Sequence, residues 1–189
     1  MNTQHYWEYF LALEDDLQQT TRFVEFATSN FKTYSIEFAR IILAASSEID
    51  VLAKMLCGEI SPATAADNIT DYRTIILKAY PKLPVMEVKL PRYGISTTPW
   101  KNWATGTNPN WWKSYNNVKH QRDQHYHEAT LENALDSVAG LLCILLYLFR
   151  KTSGKIELIP GTQLLDSTNN TVFMDGSIRW TFKLPDDKP

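Results

Sequence analysis

The sequence predicts a mainly α protein: a helical bundle carrying a small antiparallel β hairpin or meander at its C-terminal end. Three observations carry that expectation. Apolar residues recur at helical spacing from residue 5 to 151. Strict two-residue alternation sets in only after Gly154, where Ile178, Trp180, Phe182 and Leu184 interleave with Arg179, Thr181 and Lys183. Between these regimes, the stretch from Asn108 to Lys151 joins a polar, histidine-rich segment directly to a wholly apolar helix. The change of period divides the chain into a helical bundle over 1–153 and a β appendage with a loose tail over 154–189.

Each element follows from local pattern. Tyr6, Phe10, Leu13 and Leu17 line one side of a helix running from His5 to about Gln19, and a second, short helix is expected over Thr21–Ala27 before a turn at Ser29-Asn30. Ser35 to Cys57 is a long helix with Ile36, Ala39, Leu43, Leu52 and Leu56 inward, ended by Gly58. Asp67 to Tyr80 is a further helix, capped by Thr70 or Asp71 and stopped by Pro81 and Pro84. Val85–Leu90 suits a short extended piece. Pro91–Thr107 is an irregular connection in which Trp100 and Trp103 either pin the loop to the helices or stack on bases.

Asn108-Pro109 starts the next helix, and Arg150-Lys151 before Gly154 ends the run. Between them lies one long or kinked helix, or two in line, with Thr130 suited to cap the second. Past Gly154, Lys155–Ile159, Gln163–Asp166 and Val172–Met174 are strand candidates, with Asp175-Gly176 as the hairpin turn.

A chain of 189 residues that is 44% hydrophobic can bury a core without staples. Cys57 and Cys143 lie inside apolar helical patterns and suit buried thiols in a reducing compartment. The N-terminal residues lack a basic region before an apolar run, and Val138–Phe149 is too short an apolar run to span a bilayer, so the expectation is a cytoplasmic protein with no membrane partner. The net charge of −2 conceals an asymmetry: residues 1–71 carry four Lys/Arg against eleven Asp/Glu, whereas residues 72–122 carry nine against one. That cationic block either offsets the acidic N-terminal helices or presents an anion-binding surface, such as one for RNA or a nucleotide.

Where the block ends, side chains with chemistry accumulate. On one helix over 109–128, Asn116, His120, Asp123 and His127 share a face, and Lys119, Arg122 and Tyr126 form the next. Metal ligation by His120, Asp123 and His127 lacks the usual supporting motifs, and no cofactor is expected. Nucleophilic catalysis lacks a serine elbow or an accessible thiol. Metal-free phosphodiester cleavage suits the residue types better: His127 moves the proton of a ribose 2′-hydroxyl, and Arg122 holds charge building on phosphate. Lys119, His120, Asn116 and Asp123 are the substrate-binding candidates. Glu48 and Asp50 on the earlier long helix are supporting carboxylates. In the competing structural account, Lys119, His120 and Arg122 pair with Glu48, Asp50 or the acidic first helix and tie the bundle together.

Arg122-Asp123-Gln124-His125-Tyr126-His127 resembles the R-x4-H motif of the HEPN superfamily of helical nucleotide-binding and RNase domains. The frame WWKSYNNVKHQRD followed by ATLENALDSVAGLLCILLYL, together with SEIDVLAK over Ser47–Lys54, is similar to prokaryotic HEPN-like proteins over about a third of the chain. The resemblance implies a helical bundle and a homodimer with the motif at the two-fold axis. It also implies metal-independent RNA cleavage by Arg and His, and a place in a toxin–antitoxin or phage-defence system with an antitoxin or defence partner. The family commonly carries Asn after the Arg, where this chain has Asp123. A non-catalytic helical dimerisation or regulatory module is the alternative. The β-rich tail lies outside the resemblance.

Overall fold

The computed structural model describes residues 4–154, 156–167, 170–174, 178–182 and 184–187. The fold is mainly α, with small antiparallel sheets. Helices α1 (Gln4–Gln19), α2 (Ile36–Ile60), α3 (Ile69–Ala79), α4 (Asn110–His120), the single turn α5 (Arg122–His125) and α6 (Leu131–Ser153) follow one another along the chain. The α2–α6 pair is the centre, and α1, α3 and α4 pack around it. Every residue of α6 from Val138 to Phe149 is buried, as expected of a helix that is apolar all round. By length and composition alone α6 is long enough to cross a membrane, but here most of it lies inside the core.

The caps explain the boundaries. Ser35 Oγ accepts from Phe38 N at 3.1 Å and opens α2. Thr130 does the same for α6, accepting from Asn133 N at 3.3 Å. Gly154 closes α6 in the left-handed region at φ 70°. Asn68, rather than Thr70 or Asp71, caps α3: its Oδ1 accepts from both of those backbone N–H groups. Gly58 does not stop α2. A Cβ there would meet nothing within 4 Å, so the helix runs on through this solvent-facing position to Ile60. Residues 21–27 form no α-helix; two 3-10 turns, Thr20–Arg22 and Thr28–Asn30, carry the chain round instead.

The long connection before α4 is tightly built. It holds strands β1 (Val88–Leu90) and β2 (Ile95–Thr97), antiparallel with Leu90 opposite Ile95. Trp100 and Trp103 are buried, with ring centroids 4.2 Å apart, so they pin the connection to the bundle and offer no base-stacking platform. Trp100 Nε1 donates to Gly140 O at 3.1 Å, and Trp111 Nε1 to Pro99 O at 2.9 Å. Gly140 makes this approach feasible, since a Cβ there would lie 3.1 Å from the Trp111 ring.

The C-terminal segment supplies β3 (Glu157–Leu158), β4 (Asp166–Ser167), β5 (Asn170–Met174) and β6 (Ile178–Phe182). The expected antiparallel hairpin forms between β5 and β6, and β3 adds to the far side of β6 in a three-stranded sheet of order β3–β6–β5, while β4 leaves it to pair with β1, giving a second sheet of order β2–β1–β4. The proposed Asp175-Gly176 turn lies outside the described residues. The segment is bound to the helices by specific bonds. Trp7 Nε1 donates to Pro160 O at 2.9 Å, and the Glu14 carboxylate accepts from the backbone N–H groups of Gln163, Leu164 and Leu165 at 2.9–3.0 Å. Nor are residues 185–187 loose. Asp186 accepts from Tyr147 Oη at 2.6 Å and from Lys82 N at 3.0 Å, and Asp187 pairs with Arg150 at 2.8 Å.

Candidate functional site

The polar segment is not the continuous helix expected over 109–128. α4 ends at His120, where Gln121 turns out of the helical region (φ −140°, ψ 48°) after its N–H has bonded Asn117 O. One turn of α5 and a 3-10 turn, Tyr126–Glu128, then lead to α6. The physical reason is that Gln121–Gln124 has no apolar stripe to bury, and a short polar helix gains little without tertiary packing. The far end is anchored instead. Leu131 N donates to Thr33 O at 2.9 Å, Ser35 N to Ala129 O at 3.3 Å, and the Tyr126 and Tyr34 rings meet edge-on at 5.7 Å. Only the break near residues 128–130 and the Thr130 cap match the expected kink.

This geometry redistributes the predicted site residues. Asn116, His120, Asp123 and His127 no longer form one helical face, because the break at Gln121 falls between them. Asn116 is half-buried and donates to Trp112 O at 2.8 Å. Lys119 reaches back along α4 to Tyr115, its Nζ 3.1 Å from the hydroxyl and 5.2 Å over the ring. His120, Arg122, Asp123 and His127 are exposed on the connector. Glu48 and Asp50 do not support them: Asp50 accepts from Tyr72 Oη at 3.1 Å on α3, and Glu48, pushed upward in pKa by burial, bonds none of the connector cations. The proposed network tying Lys119, His120 and Arg122 to Glu48, Asp50 or α1 is therefore absent among the described residues. Across the cationic block, the one ion pair among the described residues is local, Lys89 with Glu87 at 4.0 Å.

The structure adds residues that the helical-face pattern did not select. Glu128 is the hub. His125 Nδ1 lies 2.8 Å from Glu128 Oε1, and Asn117 Nδ2 lies 3.0–3.1 Å from both carboxylate oxygens. Burial tends to raise the pKa of Glu128, but hydrogen bonds from Asn117, His125 and Ser114 outweigh it and hold the carboxyl below its ordinary value. Asn133 braces the same joint through Ser114 Oγ and Glu128 O, both at 2.9 Å. The His-x-x-Glu spacing was the sequence signal, one turn apart on any helical segment.

His127 lines a groove of about 240 Å³ with Lys32, Lys101, Glu128, Glu132 and Asp136. A neighbouring groove of about 220 Å³ shares Lys101, Glu132 and Asp136 and runs on to Thr97 and Thr98. Lys32 and Glu132 pair at 2.8 Å, and the Thr97 hydroxyl donates to Asp136. Burial drives the Asp136 carboxyl up to about 6, against the Thr97 hydrogen bond and Lys101. Arg122 does not line this groove. Among the described residues no group of three His, Cys, Asp or Glu side chains is placed to hold a metal ion, so His120, Asp123 and His127 do not converge.

The connector therefore offers a guanidinium with no ion pair among the described residues, three imidazoles and a carboxylate fixed on one of them, a set suited to holding an anion and moving protons. Compared with protein-family models, curated proteins and solved structures, the chain matches none.

Proposed function

We propose that this protein is a metal-independent endoribonuclease of HEPN-like type, acting through the connector at residues 119–128. The observation that carries the proposal is the exposure of Arg122 and His127 without an ion-pair partner among the described residues, at the end of a cationic block that has almost no compensating acid. An unpaired guanidinium is available to a phosphate, and an unpaired imidazole is available to a proton. Lys119 adds a further cation and His120 a further imidazole to the same surface. In this reading two copies associate so that their connectors face one substrate, and the protein works in the cytoplasm beside an antitoxin or defence partner.

The test is cleavage of mixed RNAs in EDTA, with products analysed for 2′,3′-cyclic phosphate ends. His127→Ala removes a proton carrier and lowers the rate by about a hundredfold or more. Arg122→Ala removes charge stabilisation at phosphate and costs a similar factor, on the order of a hundredfold. Lys119→Ala weakens binding and flattens its salt dependence. A folded wild-type protein that cuts no RNA returns the chain to the alternative, a non-catalytic dimerisation or regulatory module.

A further inference from the structure

Cleaving RNA through its own 2′-hydroxyl takes two proton transfers. One group removes the proton from the attacking 2′-oxygen, and another gives a proton to the departing 5′-oxygen. The motif supplies one imidazole, His127. The connector holds a second. The rings of His125 and His127 lie with centroids 6.3 Å apart and planes 31° from parallel. A phosphate whose attacking and leaving oxygens each meet an imidazole nitrogen at about 2.8 Å needs two rings several ångströms apart, not in contact. Arg122 stands one helical turn before His125 on α5.

The two histidines are differently equipped. His125 Nδ1 is 2.8 Å from Glu128 Oε1, and Glu128 is itself clamped by Asn117. An ionised carboxylate only accepts hydrogen bonds, so His125 Nδ1 carries the hydrogen, and in the neutral ring Nε2 is the nitrogen left with the lone pair. His125 is thus oriented and set in one tautomer, as a base requires. His127 is exposed and lines its groove, where its ring exchanges protons freely with solvent, and it has no ion-pair partner among the described residues.

We infer that His125 and His127 are a base–acid pair for RNA transphosphorylation, with Glu128 as the positioning residue for His125. This inference rests on the ribonuclease reading. In the step, the 2′-O–H proton passes to His125 Nε2 as the 2′-oxygen bonds phosphorus. The P–O5′ bond breaks, and the 5′-oxygen takes a proton from His127. The products are a 2′,3′-cyclic phosphate and a free 5′-hydroxyl. Proton exchange with water then returns each imidazole to its starting form.

The experiment uses the full chain and two dinucleotides, one with the ordinary 5′-oxygen bridge and one with a 5′-bridging sulfur. A thiolate leaves without protonation, so the sulfur substrate does not need the acid. The expected result is that His127→Ala is slowed by about a hundredfold on the oxygen substrate and restored to near wild-type rate on the sulfur one. His125→Ala is slowed on both. Glu128→Ala is slowed on both to a smaller degree, and its ¹⁵N NMR spectrum shows His125 no longer fixed as the Nδ1–H tautomer. Wild-type rates for His125→Ala on the oxygen substrate overturn the pair while leaving the ribonuclease reading intact. Sulfur rescue of His125→Ala in place of His127→Ala overturns the assignment of roles. A wild-type protein that cuts neither substrate overturns the reading itself.

Discussion

Glu14 in the helical core and Glu128 at the connector are both carboxylates drawn partly out of water, and they are used in opposite ways. Glu14 is 2% exposed and spends its oxygens on three successive backbone N–H groups of the C-terminal segment. Desolvation dominates there, and its pKa is raised despite those bonds. Glu128 sits at 24% exposure and spends its oxygens on side chains, an imidazole and an amide, whose hydrogen bonds win over desolvation. The first carboxylate fastens one part of the chain to another. The second fixes a titratable group at the surface. The same division separates the regions around them: the α2–α6 core is apolar and closed to solvent, whereas the connector leaves Arg122 and His127 exposed to it.

The contrast can be broken most forcefully from the core side. Trp111 is fully buried, stacks edge-on with Trp100 at 5.1 Å and bonds Pro99 O. Trp111→Ala should cost about 3–5 kcal/mol of unfolding free energy, read from urea denaturation. A loss below about 1 kcal/mol would mean that the tryptophan cluster does not hold the 81–107 connection. Next comes Glu14→Ala, which strands three N–H donors and should cost about 1–3 kcal/mol. Limited proteolysis should then open the chain near residues 160–165 before the helices.

Asp136 lies on the border between the two regions, and its effect is smaller and depends on pH. Its folded pKa of about 6 lies above the ordinary value of 3.8. The native state therefore binds the proton more tightly than the unfolded chain, and stability falls as pH rises from about 4 to above 6. Asp136→Asn keeps an oxygen to accept from Thr97 and never ionises. It should match wild type near pH 4 and exceed it by about 1–3 kcal/mol at pH 7. Equal stability at both pH values would show that Asp136 is better solvated than the groove geometry implies.

The two regions also differ in how far the sequence disclosed them. α1 and α6 were legible because burial imposes a period, and Ser35, Thr130 and Gly154 because caps are local chemistry. The β5–β6 hairpin was legible from alternation in one strand and the Asp175-Gly176 turn signal before it. The β2–β1–β4 sheet was not. Its strands are two or three residues long, and the β1–β4 pairing joins residues almost eighty apart, Val88 with Ser167. The same limit fell on the site. Arg122 and His127 were identifiable by residue type and spacing, but their neighbours depended on a break at Gln121 that no apolar pattern marks. Once α4 stops there, Asn117 and His125 converge on Glu128, and the face drawn through Asn116, His120, Asp123 and His127 dissolves. Glu48 and Asp50 failed for a related reason: helical spacing places a carboxylate on a face but does not say which helix that face meets.

The central claim is that Arg122 and His127 are placed for chemistry and hold nothing together. Urea unfolding of the Arg122→Ala/His127→Ala protein against wild type, at neutral pH, tests it most directly. Substitutions of exposed, unpaired side chains should leave the unfolding free energy within about 0.5 kcal/mol. A loss of about 2 kcal/mol or more would contradict the account, because it would mean that these residues belong to a polar network that stabilises the bundle.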